Sequence, residues 1–411
     1  MRTIILGLCF FISFMAKAQR ECATQAYLDA QLASDAGISK KQADIESFIQ
    51  RQKITTRLNG DEGSSVTGVI KIPVVVHILY NTASENIPDA QVFNQLAALN
   101  RDFRRLNNDT LNTPDPFKNV AADVQIEFVL ATADEEGRPT TGIVRKHTYV
   151  TYWKTDDQIK FSSEGGSNAW DSRFYLNIWV GNLQSVIGYS SSPGGDVTKD
   201  GVVISTSVFG SVKSGNYNLG RTTVHEVGHW LGLKHIWGDQ YCGDDLVDDT
   251  PKQGNFTPGC PTGFRSSCSN GTTGDMYMNF MDYTADACMN LFTEGQKERM
   301  RILFIQEGPR HSILASKGLW QPWKEPLPEA VELPAQVTIY PNPAQSDLTI
   351  NLDETWVGKT IHILNSNGAV IITFRVNSKI QKIDVQRLKP GLYYLHGTKA
   401  NGKLLQKFIK L

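Results

Sequence analysis

The stretch His225-Glu226-Val227-Gly228-His229-Trp230-Leu231-Gly232-Leu233-Lys234-His235 constrains this chain more than any other. Gly220-Arg221-Thr222-Thr223-Val224 precedes it, so a helix can start near Arg221 and run to about Leu231. Residues four apart lie on one helical face, about 5.4 Å from each other. The imidazoles of His225 and His229 therefore aim at a common point, with Glu226 beside it. Glycine adopts the left-handed conformation without penalty, so Gly232 can end the helix and return the chain with His235 as a third nitrogen donor. Three such ligands suit zinc and leave one coordination position open, as catalytic rather than structural sites do. A lone His-Glu-x-x-His pentapeptide is a modest signal that solvated helices also carry. Five fixed positions, with glycine at the turn, are far more specific. A site completed by a glutamate from a following helix is disfavoured, because the nearest suitable residue, Glu294, lies far downstream.

The start of the chain says where this site would work. Met1 to Ala18 reads as a secretory signal: Arg2, an apolar run from Ile4 to Phe14, then Ala16-Lys17-Ala18 before a cut at Gln19. That run is too short to span a bilayer, and no later one reaches the length required. Export puts the cysteines in an oxidising compartment. Cys242, Cys260, Cys268 and Cys288 then suggest two disulfides with three possible pairings, and Cys22 is left over. The 411 residues suffice for two domains with additions, and a net charge of −1 argues against nucleic acid, which favours a basic stripe.

Taken in order, Gln19 to Thr56 is polar and helix-prone, without an apolar core of its own. It is either a disordered leader or, through Cys22, a segment whose thiolate fills the open zinc position. Lys71 to Tyr80 reads as a buried strand. Pro88 opens a helix with Val92, Leu96, Leu99 and Phe103 on its apolar face. Val124 to Leu130, Phe174 to Val180 and Val202 to Ser205 read as further strands, which places a sheet behind the site. His77 and His147 fall outside any ligand spacing and read as structural. Asp244, Asp245, Asp248 and Asp249 crowd four carboxylates into six residues, a repulsion that an oxygen-ligated cation such as calcium would relieve. Thr293-Glu294-Gly295-Gln296 is a capping box opening a helix through Ile305. Trp320 to Pro334 holds four prolines and reads as a semi-extended linker. From Val337 onward, short alternating strands separated by Pro-Asn-Pro, Asn-Ser-Asn-Gly and Pro-Gly turns indicate a small β-sandwich.

The His225–His235 stretch, Asp248-Asp249-Thr250-Pro251, Asn279-Phe280-Met281-Asp282-Tyr283 and the four-cysteine frame together resemble the ulilysin-like pappalysins, a branch of the metzincin metalloproteases, over roughly residues 69 to 316. The resemblance implies zinc on His225, His229 and His235, Glu226 as general acid and base, Tyr283 near the oxyanion, and Met281 as a hydrophobic floor. It implies disulfides Cys242–Cys268 and Cys260–Cys288, and calcium at Asp245, Asp248 and Thr250. It also places Asp286 at the base of the pocket that receives the residue after the cut bond. A buried carboxylate there would select arginine or lysine, and self-activation would cut Thr56–Arg57. Arg20-Glu21-Cys22-Ala23-Thr24 resembles the cysteine switch of pappalysin proenzymes, with Ala23 where glycine is common. Tyr340-Pro341-Asn342-Pro343-Ala344, Lys389-Pro390-Gly391-Leu392-Tyr393-Tyr394 and Lys407-Phe408-Ile409-Lys410-Leu411 resemble the sorting domain of the type IX secretion system.

The expected order is a signal peptide over 1–18, a propeptide over 19–56, a catalytic domain over 57–317, a Pro-rich linker over 318–335 and a sorting domain over 336–411. The fold class is α+β followed by an all-β immunoglobulin-like sandwich. The expected function is that of a monomeric zinc endopeptidase made as a latent zymogen. It would act on proteins or peptides outside a Gram-negative cell, exported through the periplasm and read by the type IX machinery. The competing reading is a non-catalytic surface or adhesion protein with a structural zinc.

Overall fold

In the computed structural model, residues 22–59, 66–212, 214–325, 337–366, 368–399 and 402–411 are described. The expected signal peptide, with Arg20 and Glu21, lies outside them. The chain divides into two units, Met1–Glu325 and Pro326–Leu411.

The first unit is built on β1 (Ile70–Tyr80), whose side chains are buried on both faces except at Lys71 and Tyr80. A strand so apolar needs parallel neighbours and cover on both sides. β2 (Ile126–Leu130) pairs with its first half, β3 (Ile143–His147) with its second, and β4 (Leu176–Gly181) with its other edge, all parallel. β6 (Val202–Ser205) continues the parallel set, and β5 (Gly188–Ser190) closes the edge as its antiparallel member. β3 and β5 escape a sequence reading: β3 has no fully buried residue, and β5 has three residues between loops. One face of the sheet carries α3 (Asp89–Phe103), which buries Val92, Leu96, Leu99 and Phe103 at full helical spacing. Burial of each such side chain contributes roughly 2 kcal/mol. A single turn, α4 (Asp115–Lys118), then leads back to the sheet, and α5 (Arg221–Trp230) packs beside α3, buried along its whole length. α6 (Glu294–Ile302) starts at the capping box formed by Thr293 and Gln296 and ends three residues short of the expected Ile305.

The leader is folded rather than disordered. α1 (Thr24–Ser34) and α2 (Ala36–Asn59) lie on the catalytic unit with Tyr27, Phe48, Ile49 and Lys53 buried. Glu46 forms an ion pair with Arg299, whose Nε donates to the Gly232 carbonyl at 2.8 Å. α2 runs through Thr56 and Arg57, so the backbone of that bond is helical and must unwind before it can be cut. At the other end the chain stays on this unit past residue 317. Thr132 Oγ1 donates to the Trp320 carbonyl at 2.9 Å, and Trp323 N and Lys324 N donate to Gly137 O at 3.0 Å. Backbone pairing holds a segment that composition alone assigns to the linker, so the first unit ends at Glu325.

His77 sits fully buried in β1, stacked on Trp179, with Nδ1 on Ser167 and Nε2 on Asn177. Burial pushes its pKa down to about 4. An unfolded histidine binds its proton near pH 6.5, so the folded state gains its full advantage above that value and loses it as pH falls toward 4. The linked loss is on the order of 3 kcal/mol. His77→Gln is expected to flatten the melting temperature between pH 6.5 and 4, as measured by thermal unfolding; an unchanged acid limb would refute the assignment.

The second unit contains β7 (Thr338–Tyr340), β8 (Asp347–Asn351), β9 (Thr360–Asn365), β10 (Val370–Arg375), β11 (Ile380–Asp384), β12 (Gly391–Lys399) and β13 (Gly402–Lys410). Two antiparallel sheets, ordered β10-β9-β12-β13 and β11-β8-β7, enclose Leu348, Ile350, Trp356, Ile361, Ile363, Leu395 and Phe408. This is the expected sandwich.

Candidate metal centre and cleft

α5 and the turn after it place the three imidazoles. Gly232 has φ +81° and turns the chain back, so that Leu233 N can bond to Gly228 O at 3.0 Å and His235 returns to the helix face. Gly228 serves a close approach: a Cβ there would lie 2.5 Å from Met281 Sδ, so a larger residue would have to push that buried side chain aside.

Each ring is oriented by a partner on Nδ1. His225 Nδ1 donates to Phe280 O at 2.7 Å, His229 Nδ1 to Leu233 O at 2.9 Å, and His235 Nδ1 bonds to Asp239 Oδ1. A carbonyl can only accept, so the first two rings carry their protons on Nδ1 and turn unprotonated Nε2 atoms inward. His229 Nε2 stands 3.1 Å from both His225 Nε2 and His235 Nε2. Lone pairs brought this close repel unless a cation lies between them. Cys22 Sγ completes the group: its four ligand atoms lie within 4.8 Å of one another, and among the described residues this is the cluster suited to a metal. Glu294 is not in it. The donor set fits zinc, with every carbonyl or carboxylate partner such imidazoles ordinarily need.

The leader lies along β5 past this centre. Cys22 bridges Gly188 in parallel, and Ala23 N donates to Gly188 O at 3.0 Å. Thr24 Oγ1 accepts from Ser190 N at 2.9 Å and donates to Glu226 Oε2 at 2.7 Å. Tyr283 Oη donates to the Cys22 carbonyl at 3.1 Å. Burial, and then the charge of Glu226, push the Cys22 thiol up; a metal bound to the sulfur reverses that order, because a coordinating thiol is deprotonated outright. Burial likewise pushes the Tyr283 phenol up and keeps it a donor.

Below the imidazoles, Met281 is fully buried in a turn held by its own N–H on Asn279 Oδ1 at 2.9 Å. Burial pushes Asp282 up to about 6; its carboxylate accepts from Thr257 N, Gln253 Nε2 and Tyr283 N, which steadies Tyr283. The disulfides are Cys242–Cys268 and Cys260–Cys288, and they staple a region with little regular structure. Asp286 is fully buried, not solvated. Its Oδ2 accepts from Leu219 N at 2.8 Å and Arg221 N at 3.2 Å, at the start of α5.

The acidic loop is divided. Asp245 is buried and accepts Thr250 Oγ1 at 2.9 Å, and burial pushes its carboxyl up to about 7. Asp248 instead meets Lys53 Nζ at 3.4 Å, and Asp249 accepts from Thr293 and Gly295 at the start of α6.

Sequence reasoning missed Thr24, Asp239 and Arg221. Only Arg221 carried a signal: a cation in the first turn of a helix opposes the helix dipole, so it needs acidic partners. It has them in Asp102 and Asp109.

Residues 160–304 match the family model described as pregnancy-associated plasma protein-A. An extracellular metalloprotease of Arthroderma gypseum is 30% identical over 252 residues, 59% of this chain and 74% of that protein. The chain belongs to the pappalysin metalloproteases. Among solved structures, mature mirolysin of Tannerella forsythia in complex with a cleaved peptide is 48% identical, covering 61% of this chain and 97% of that one at a TM-score of 0.59. A promirolysin mutant of the same organism is 43% identical, covering 72% of this chain and 97% of that one at a TM-score of 0.66. Residues 338–411 match the secretion system C-terminal sorting domain. This pappalysin is therefore a zinc metalloprotease exported by a Gram-negative bacterium through type IX secretion. No helix among the described residues is long and apolar enough to cross a membrane.

Proposed function

We propose that this pappalysin is an endopeptidase held latent by residues 19–56 and cutting before arginine or lysine. The observation that carries the reading is the meeting of three oriented imidazoles and the Cys22 sulfur beside Glu226, with the leader lying in the cleft. His225, His229 and His235 would hold zinc, with Cys22 as fourth ligand in the latent form. Bound there, zinc polarises a carbonyl and acidifies water. Glu226 takes the proton of the attacking water and delivers it to the leaving amine. Tyr283 donates to the oxygen on which charge develops; in the latent form the Cys22 carbonyl stands in for that oxygen. Met281 supports the imidazoles from below.

Latency rests on two contacts, not one. Cys22 fills the open ligand position while Thr24 occupies the Glu226 carboxylate. Cys22→Ala proenzyme is therefore expected to cleave a fluorogenic peptide well below the mature rate, and Cys22→Ala with Thr24→Val about tenfold faster than Cys22→Ala alone. Equal rates for the two variants, measured before any leader is lost, would show that Thr24 does not contribute.

Asp286 would set specificity from the base of the pocket after the cut bond. Profiling the mature enzyme on a peptide library should give arginine and lysine at that position, and Asp286→Asn should remove the bias; a wild-type profile without it refutes the assignment. Maturation at Thr56–Arg57 predicts Arg57 as the new N-terminus, and a start other than Arg57, Arg51 or Lys53 would count against it. Asp245, Asp248 and Thr250 would hold calcium once Lys53 has gone, which gives the buried Asp245 carboxylate a cation. Calcium should then raise the melting temperature of the mature enzyme at pH 8, and an equal rise in Asp245→Asn would exclude this site.

A further inference from the structure

Tyr27 of α1 enters a pocket that belongs entirely to the catalytic unit. Its hydroxyl donates to both oxygens of Asp157 at 2.9 Å. Its ring lies 4.9 Å from that of Tyr189, and Lys160 Nζ stands 5.0 Å from its centroid. The base of this pocket is built without Tyr27. Lys160 and Asp157, 0% and 4% exposed, are paired at 2.9 Å; Lys199 Nζ reaches the other Asp157 oxygen at 3.4 Å; and Lys160 donates to Lys199 O at 2.7 Å. Asp157 is thus positioned before any phenol arrives. The wall adjoins the cleft, because Tyr189 lies in β5 between Gly188 and Ser190, the residues that receive the leader beside the metal centre.

We infer that this pocket is a tyrosine-selective subsite for peptide substrates, occupied by Tyr27 in the latent form and vacated when the leader is removed. The inference rests on the zymogen reading. An aromatic ring is accepted by the Tyr189 ring and the Lys160 cation, and a phenol hydroxyl adds a donor to the lysine-paired carboxylate while accepting from Lys160 Nζ at 3.4 Å. Phenylalanine would cover Asp157 and keep water from it without supplying the hydrogen bond that the phenol gives, and a site built to bond a substrate hydroxyl disfavours the analogue lacking it. Tyr27 lies five positions after Cys22, and only the last three steps are within α1; two steps of up to ~3.3 Å and three of ~1.5 Å span at most roughly 11 Å, which an extended substrate covers in two to three residues.

The test uses the mature enzyme and peptides with an Arg after the cut bond, differing only in Tyr or Phe at each of the three positions on either side. At one position, two or three residues from the bond, the tyrosine peptide is expected to show kcat/KM about tenfold higher or more. Asp157→Asn should bring that ratio toward unity while both peptides are still cut. The wild-type comparison needs no variant to fold. Equal kcat/KM for Tyr and Phe at every position overturns the subsite but leaves the protease reading intact, whereas failure to cut any of the peptides overturns the protease reading itself.

Discussion

Glu226→Ala is expected to lower kcat for peptide cleavage by roughly two to four orders of magnitude, the range for loss of a positioned acid–base group, with zinc still bound. The side chain is fully buried beside the metal centre, on the residue after His225, and the three ring nitrogens that orient the ligands bond to Phe280 O, Leu233 O and Asp239 Oδ1. Its removal takes away the proton acceptor without disturbing the donor set. So that the result does not depend on the route of maturation, the leader is removed by an added protease. Zinc content is then measured by elemental analysis and cleavage with a fluorogenic peptide. Proteolysis near the wild-type rate in the zinc-loaded variant would end the acid–base role. Loss of zinc together with activity would show instead that Glu226 holds the centre together.

Arg221→Met is expected to have the largest effect on stability. Arg221 is 1% exposed at the first turn of α5. Its Nε lies 3.0 Å from Asp102 Oδ2, its Nη2 2.9 Å from Asp109 Oδ1, and its Nη1 2.6 Å from Asp109 Oδ2 and 2.5 Å from the Asp286 carbonyl. It also stacks over Phe280, the residue whose carbonyl orients His225. Burial alone would raise the Asp109 carboxyl, yet the Arg221 guanidinium holds it below the usual range. Breaking such a buried pair costs about 3–5 kcal/mol, because Asp109 is left without its cation and Asp102 with Arg101 alone. In a domain of this size that lowers the melting temperature by roughly 10 °C, a change that calorimetry of the proenzyme resolves. Lysine is expected to rescue little, since it lacks the planar fork that reaches two carboxylates and a carbonyl at once. A fall of less than about 2 °C in Arg221→Met would mean that the network does not hold α5 in place.

The three clustered imidazoles were legible because they are local. Helical spacing aligns His225 with His229, and a left-handed glycine brings His235 round, all within eleven residues. β1 and α3 were legible for the same reason, as an apolar run and a periodic apolar face. β5 was not, since three residues carry no periodicity. Nor was the docking of the leader: α1 and α2 read as polar helices because the surface that buries Tyr27, Phe48 and Ile49 belongs to the catalytic unit. The acidic loop misled in part. Its four carboxylates look like one cluster in sequence, but Asp249 serves α6 and Asp248 meets Lys53.

By itself, then, the sequence determined the metal, the reaction class and the export route, because each is written in short-range spacing or in a motif. The tertiary structure alone decided how the leader docks: Thr24 meets Glu226 across 202 residues and Tyr27 meets Asp157 across 130. Contacts over such separations depend on how strands and helices pack, and no local pattern of residue types encodes them.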